Sequence, residues 1–303
     1  MRIASTQYHA TMNRALQDAS GRVEDAMQRM ATGQRMLRPS DDPTNGVRLS
    51  RLKGEDAALA QYRDNIGALK TRLQQNEAAL SGMVNSSLQV RDLLVWAADG
   101  ANSSKDLSAI ADSLTALRDS LFYASNSKDQ EGRYLFSGTA VTSATVSYNT
   151  AAAAGARYSF TGNTMDQRVV VGNGVTQPAN VAVPEAADLL NQLDAVVAAL
   201  QAPNASANNP VLHTTIAGAL NGLDATLDVF NSRIATLGGA QNILQTLDDN
   251  HSNVSLSLQQ SALKIGQLDY ASAAVELNGY TTAMQATQKA YAKVSSLSLF
   301  DAL

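Results

Sequence analysis

The sequence predicts a mainly α-helical protein. Both ends of the chain are expected to form a long antiparallel, coiled-coil-like helical rod, with a β-rich domain inserted in the middle. Apolar residues recur at alternating steps of four and three in both halves, which is the spacing of a helical packing seam. Residues 132–183 instead carry short β-branched and aromatic runs separated by Gly and Asn. Only 5% of the residues are aromatic, so an aliphatic helical core is favoured.

The first predicted helix carries one narrow apolar stripe, formed by Met12, Leu16, Ala19, Val23, Ala26 and Met30. A single stripe cannot be buried by the helix that bears it, so this helix needs a partner. The last predicted helix begins near Asp269 and carries a matching stripe, formed by Leu277, Tyr280, Met284, Thr287, Tyr291 and Val294. We expect the first and last helices to pack together.

The stretch between residues 30 and 52 predicts a joint between two helices. Gly33 supplies the permissive backbone on which a helix can end. Pro39 disfavours helical geometry at Arg38, which precedes it. The chain is therefore expected to leave the first helix here.

A second helix is predicted to begin directly after this break. Asp42 is a good N-cap residue and Pro43 suits the first helical position. Ser40 and Asp41 lie just upstream, where we expect them to accept hydrogen bonds from the free amides of the first turn.

Two very long helices are predicted beyond the joint. The first extends from Pro43 to about Ala98, and the second returns through Leu223 and Leu237. Their similar lengths predict that they pair antiparallel. The apolar rhythm of the return helix breaks at Gly238 and Gly239, which predicts a phase slip near Leu244.

The middle of the chain predicts antiparallel strands at Tyr134–Phe136, Ala156–Phe160 and Arg168–Val171. The sequence at residues 172–174, Gly-Asn-Gly, is typical of a hairpin turn. A short helix is predicted to open at Pro184.

The sequence contains no recognisable chemical site. There is no cysteine, and His9, His213 and His251 lack the spacing of metal ligands. No catalytic, metal-binding or cofactor-binding residue is predicted, and the chain is not expected to be an enzyme. The net charge of −4 gives no basic surface for nucleic acid. Neither a cleaved signal peptide nor an apolar run of membrane-spanning length is visible, so membrane insertion is not expected.

Three motifs resemble the flagellin superfamily. The joint reads ATGQRMLRPSDDP at residues 31–43, and its RPSDDP form is more similar to the hook-filament junction proteins of that superfamily than to flagellin. GRYLFSG at 132–138 and LSLFDAL at 297–303 are similar to the same branch. The resemblance covers roughly residues 1–100 and 225–303.

This resemblance implies a structural role in the bacterial flagellum. The protein would join the hook, through the first hook-associated protein, to the flagellin filament by self-assembly into a ring. Its implied partners are further copies of itself, the first hook-associated protein, flagellin and a flagellar export chaperone. It would be exported by the type III pathway without a cleaved signal peptide and reside outside the cell at the junction.

The resemblance also suggests a separate role for each of three parts of the chain. Residues 1–42 with 266–303 would be terminal helices for axial assembly. Residues 43–130 with 205–265 would be the helical rod, and 131–204 an outward-facing β-rich insert with a short helix.

Two groups of residues are candidate assembly sites. The expected subunit contacts are the apolar positions of the terminal segments, namely Leu16, Val23, Met30, Leu277, Met284, Tyr291, Val294, Phe300 and Leu303. The expected joint consists of Arg38, Pro39, Ser40, Asp41, Asp42 and Pro43.

Two other functions fit the same helical pattern. A flagellin that forms the filament itself would share both terminal segments. A coiled-coil type III translocator would also have heptad seams, but it would need membrane-inserting helices, and none is evident in the sequence.

Overall fold

The computed structural model describes residues 2–203 and 205–296. Within these residues it contains six long or medium helices and four short strands. In chain order they are α1 (Arg2–Thr32), α2 (Pro43–Ala97), α3 (Ser104–Ser125), β1 (Val146–Tyr148), β2 (Tyr158–Phe160), β3 (Arg168–Gly172), β4 (Val175–Pro178), α4 (Glu185–Leu200), α5 (Pro210–Gly266) and α6 (Tyr270–Ser296). The predicted fold class, helical at both ends with a small β region in the middle, is confirmed.

The chain divides into two compact units. Unit 1 comprises Met1–Leu59 and Ser252–Leu303, and unit 2 comprises Ala60–His251. The helices α2 and α5 therefore contribute residues to both units. The division into terminal helices, rod and insert stays a prediction.

The core of unit 2 is built on the heptad seam of α2. Its buried positions follow alternating steps of three and four throughout, and they are Ile66, Leu69, Leu73, Asn76, Leu80, Met83, Ser87, Val90, Leu94 and Ala97. Buried residues of α3, α4 and α5 join the same core. Each fully buried aliphatic side chain contributes on the order of 1.5–3 kcal/mol. The long seam therefore accounts for much of the stability of this unit.

Within unit 2 the helices α2 and α5 run antiparallel, as the sequence predicts. Arg63 Nε lies 2.9 Å from Asp248 Oδ1, and Arg91 Nε lies 3.0 Å from Asp224 Oδ1. The residue number rises along α2 as it falls along α5, which fixes the direction.

The predicted phase slip in α5 is wrong. The helix is continuous through Gly238 and Gly239. Its inward-facing positions pass from Leu244 to the partly buried His251 and Ser255 in regular steps, whereas the neighbouring apolar residue Val254 is exposed. The polar residues His251 and Ser255 occupy two positions of the packing seam of α5. A pattern based on apolar residues alone therefore cannot follow the helical phase through this part of the helix.

The β region forms two separate antiparallel pairs. β1 pairs with β2 through Tyr148 and Tyr158, and β3 pairs with β4 across the predicted Gly-Asn-Gly turn. Gly174 has φ +71°, a conformation that glycine adopts without steric cost. The hairpin prediction is confirmed.

The strand predicted at Tyr134–Phe136 is wrong. Tyr134 makes only an isolated bridge to Lys128, while Leu135 and Phe136 are buried in the core of unit 2. Burial of these side chains, not strand pairing, holds the segment. Strand β1 was not predicted, because its three residues are too short a run to stand out.

Helix side chains anchor the β3–β4 hairpin. His251 Nε2 lies 2.8 Å from the carbonyl oxygen of Val171, which can only accept, so Nε2 donates. Asn65 Nδ2 donates to the carbonyl oxygen of Val170 at 2.8 Å, and the ring of Tyr62 lies 5.7 Å from that of His251. His251 therefore has a structural role in unit 2.

Candidate assembly site: terminal helices and joint

In unit 1 the two ends of the chain pack together, since α1 contacts α6 along their length. The predicted apolar stripe of α1 is shielded from solvent. Val23 is 7% exposed, and Leu16 and Met30 are half-buried. The stripe is therefore buried within the chain.

The candidates on α6 lie on the corresponding stripe. Leu277, Met284 and Tyr291 are half-buried. Val294 belongs to α6, but its side chain lies outside the described part of the chain, as do Phe300 and Leu303 entirely. A direct role of these residues in contacts between subunits stays a prediction.

Two polar contacts link α1 to α6 near opposite ends of the pair. His9 Nδ1 lies 3.2 Å from the hydroxyl oxygen of Tyr291, with the rings edge to face. Arg29 Nη1 lies 4.0 Å from Glu276 Oε2. Because all these groups are partly or fully exposed, they contribute orientation more than stability.

The joint is held to the segment that connects α5 to α6. Gly33 ends α1 with φ +68°, and its carbonyl oxygen accepts a hydrogen bond from Leu268 N at 2.9 Å. Arg35 N donates to the carbonyl oxygen of Gly266 at 2.8 Å. The two connecting segments are thus joined by a short ladder of backbone hydrogen bonds, which fixes where α1 ends and where α6 begins.

The two aspartates of the joint have different roles. Asp42 caps α2 as predicted, because its Oδ1 accepts Asn45 N at 3.1 Å. Asp41 does not cap α2, contrary to prediction: its Oδ2 accepts the amides of Leu37 and Arg38 at 2.9 and 2.8 Å. Asp41 therefore closes the loop that precedes it.

The remaining joint residues are at the surface. Arg38, Pro39, Ser40 and Pro43 are all exposed, and Arg38 Nη2 lies 4.0 Å from Asp25 Oδ1. No hydrogen bond joins the Ser40 side chain to the first turn of α2 within the described residues, so the predicted capping by Ser40 is also wrong.

Hydrogen bonds shift the acidity of the capping carboxyls. The amide of Arg38 lowers the pKa of Asp41, and the side-chain amide of Asn45 lowers the pKa of Asp42. The hydroxyl of Ser272 lowers the pKa of Asp269, which caps α6. All three groups favour the ionised form in the folded joint.

Unit 1 exposes several large apolar side chains that do not belong to the α1–α6 seam. Met27 on α1 is 52% exposed and Val275 on α6 is 74% exposed. Further exposed apolar residues of this unit are Tyr8, Val47, Leu256, Leu263 and Tyr270. Such residues, dispersed around a two-helix body, suit contacts with other molecules.

A groove of about 690 Å³ lies beside the joint within unit 1. Its apolar lining comes from both long helices and from the joint, and includes Met36, Leu49, Leu52, Leu258, Leu263 and Tyr270. Lys53 and Asp56 add charges of opposite sign to the lining.

The sequence predicted that the last helix begins near Asp269, but not that this segment forms the second half of the joint. Gly266 and Asp269 mirror the terminating glycine and the capping aspartate of the first half, and this spacing was a usable signal. The exposed Met27 and Val275 were also missed, since they fall between heptad positions.

Two other kinds of site, a metal site and a membrane-spanning helix, are not found within the described residues. No group of three or more metal-ligating side chains occurs among them. In the same part of the chain, no helix combines the length and the apolar character needed to cross a membrane.

Comparisons with known proteins address the identity of the chain. The family model for the bacterial flagellin N-terminal helical region matches residues 3–141. A solved structure described as a flagellar hook-associated protein from Vibrio parahaemolyticus is 31% identical, with a TM-score of 0.67, and the match covers 74% of this chain and 99% of that one. Flagellar hook-associated protein 3 of Escherichia coli (strain K12) is 28% identical over 290 residues, 90% of each chain.

The chain belongs to the flagellar hook-associated protein 3 family. The flagellins that it resembles match over a smaller part. Polar flagellin F of Vibrio parahaemolyticus is 29% identical over 130 residues, 41% of this chain and 33% of that one. The likeness to hook-associated protein 3 therefore spans 90% of this chain, whereas the likeness to this flagellin spans less than half of it.

Proposed function

We propose that this protein joins the flagellar hook to the flagellin filament. It is a structural component of the bacterial flagellum, and its action is mechanical. One observation carries the proposal: the likeness to hook-associated protein 3 spans 90% of both chains, whereas the likeness to flagellin F spans 41% of this chain and 33% of that one.

The geometry of unit 1 supports an assembly role. The paired α1 and α6 leave exposed apolar side chains such as Met27 and Val275 around a narrow body. A two-helix body buries little apolar surface of its own. Contact with further copies would bury these side chains and stabilise the ends of the chain.

The assembly partners and the export route of the protein follow from the same junction role. Copies of the chain assemble into a ring that contacts the first hook-associated protein on one side and flagellin on the other. A flagellar export chaperone holds the chain before type III export, which removes no signal peptide. The candidate contacts in this ring are the exposed face of α1 and α6, the joint, and the C-terminal residues Phe300 and Leu303.

Deletion of the gene in the bacterium that encodes it tests the proposal. We expect hooks without filaments, with flagellin secreted into the medium, because filament subunits would lack a surface on which to assemble. Reintroducing the gene should restore filaments.

Two other results would contradict the proposal. Hooks without filaments and with no flagellin anywhere would identify this chain as the filament protein. Intact, motile flagella in a strain shown to lack any second copy would exclude a junction role.

A further inference from the structure

A cleft in unit 2 with charged and apolar lining contains an arginine without an ion-pair partner among the described residues. The cleft has a volume of about 490 Å³ and lies between α2, the turn at residues 129–133 and the β3–β4 hairpin. Arg72 on α2 lines it, together with Arg133 from the turn.

Arg72 is exceptional among the arginines of this unit. Within the described residues, each of the other seven lies within 3.9 Å of a carboxylate oxygen. The half-buried Arg72 has no such contact, and its Nε atom is shielded from solvent without any hydrogen-bond partner. Native structures seldom leave a shielded donor of this kind unused.

The acids of the cleft are occupied by Arg133. Asp129 accepts the amides of Glu131 and Arg133 at 2.9 Å each, and its Oδ2 accepts Arg133 Nε at 2.8 Å. Glu131 Oε2 lies 2.8 Å from Arg133 Nη1. Neither carboxylate is within ion-pairing distance of Arg72.

The carboxylates near Arg72 do not fully compensate for its burial. Burial lowers the pKa of Arg72 and the positive charge of Arg133 lowers it further, whereas the negative charges of Asp129 and Glu131 raise it. An anion bound directly at Arg72 would supply the remaining compensation. We propose that this cleft binds a carboxylate group through the guanidinium of Arg72.

Charge and shape select a carboxylate over a phosphate. Arg72 and Arg133 supply two positive charges, and Asp129 and Glu131 two negative charges, so the four side chains sum to zero. A singly charged planar carboxylate matches the guanidinium fork, with two parallel hydrogen bonds. A doubly charged phosphate would add twice the charge next to Glu131.

The carboxylate can come from a free small molecule or from an acidic side chain of a second copy of this chain. The chemistry at Arg72 is the same in both cases. The two sources differ in whether binding changes the oligomeric state.

The primary test follows the Nε–H signal of Arg72 by NMR in ¹⁵N-labelled full-length protein. Sodium acetate is titrated to about 100 mM against sodium chloride of equal ionic strength, a range that covers the millimolar affinity of a single-contact ligand. We expect a saturable shift with acetate and none with chloride.

Variants test whether Arg72 is responsible for acetate binding. In these variants the titration is followed at the backbone amides of Gln130 and Arg133, which line the same cleft. Arg72→Gln should weaken acetate binding by about tenfold or more, since a hydrogen bond to a charged group is lost, and Arg72→Lys should retain part of it. Arg91→Gln is the matched control, because it removes an exposed arginine of α2 that pairs with Asp224. It should leave the acetate titration unchanged.

Sedimentation velocity distinguishes the two sources. Concentration-dependent association that acetate competes away and Arg72→Gln abolishes would identify a second copy as the donor. A monomer at all concentrations, with the acetate shift intact, would identify free carboxylates as the ligands.

Two results would overturn the proposal. One is an Arg72 signal that acetate moves no more than chloride does. The other is a lower melting temperature for Arg72→Gln, which would reveal a partner for Arg72 inside the folded chain; we expect an equal or higher melting temperature.

Discussion

At the scale of single residues, two glycines allow the end of the stretch GRYLFSG to lie against a neighbouring turn. Gly138 has φ +69°, and Gly162 lies so close to the neighbouring turn that an added Cβ would be 2.7 Å from Ser137 Cα. Asn163 N donates to the carbonyl oxygen of Ser137 at 3.1 Å. Two turns therefore touch backbone to backbone, and only glycine fits between them.

Gly162→Ala should destabilise the protein by about 1–3 kcal/mol, because backbone atoms must move apart to admit the methyl group. Gly218→Ala is the control, since nothing lies within 4 Å of a Cβ built at that helical position. The control should be neutral or slightly stabilising. Equal denaturation midpoints for Gly162→Ala and the parent chain would show that the turns are not in contact.

A buried carboxylate connects three elements of unit 2. Asp194 on α4 is 1% exposed and accepts from Arg118 Nη1 at 2.8 Å, Arg157 Nη1 at 3.3 Å and Gly155 N at 2.9 Å. It thereby ties α3 and the β1–β2 pair to α4.

Asp194→Ala should lower the free energy of unfolding by roughly 3–5 kcal/mol, because it leaves the largely buried Arg118 without its carboxylate partner there. Asp224→Ala removes an exposed partner of Arg91 and should cost no more than about 1 kcal/mol. Chemical denaturation of both variants measures the difference. Similar losses for the two would contradict the burial of Asp194.

At the scale of elements, the joint depends on ionised carboxylates. The pKa values of Asp41, Asp42 and Asp269 are all lowered in the folded chain. Their stabilising contribution is therefore complete above the ordinary aspartate pKa, about 3.9, and is lost as the pH falls through the lowered values.

Acidification below about pH 4 should therefore loosen the joint. NMR signals of the Leu37 and Arg38 amides, which donate to Asp41, should titrate together in this range. In Asp41→Asn that titration should disappear, while the Asn45 amide, which donates to Asp42, should still respond. An unaltered titration of Leu37 in Asp41→Asn would exclude the assigned contact.

At the scale of the whole molecule, the seam residues and the exposed residues of the terminal helices have separable roles. Val23 is buried within the pair, whereas Met27 is exposed beside it. A substitution at Met27 can therefore impair assembly without unfolding the monomer.

Met27→Asp should change the free energy of unfolding by no more than about 0.5 kcal/mol, yet fail to restore filaments in the deletion strain. Val211→Asp is the matched control, because Val211 is 71% exposed and belongs to unit 2. Electron microscopy of complemented cells provides the measurement. Normal filaments with Met27→Asp would remove this face of α1 from the proposed interface.

Much of the element order followed from the sequence. The start of α2 at Pro43 and the β3–β4 turn each depend on local chemistry, which a sequence displays directly. The prediction failed at Tyr134–Phe136, where burial took the place of strand pairing.

For the candidate site, the sequence predicted the packing stripes of the terminal helices but not the polar contacts of the joint. The heptad stripes identified which side of α1 and α6 would be covered. They did not indicate that Asp41 serves the preceding loop, nor that Arg35 and Gly266 would be joined by a backbone hydrogen bond.

The sequence by itself determined the helical class, the two long antiparallel helices and the position of the joint, because periodicity, caps and breakers act within a few residues of one another. Only the tertiary structure decided which carboxylate caps which segment and which arginine has no partner, as with Asp41 and Arg72. Among the described residues, Arg72 has no ion-pair partner because Arg133, distant in sequence, pairs with Asp129 and Glu131. Asp41 accepts the amides of Leu37 and Arg38 because the loop folds back on itself, a conformation that the local sequence did not reveal.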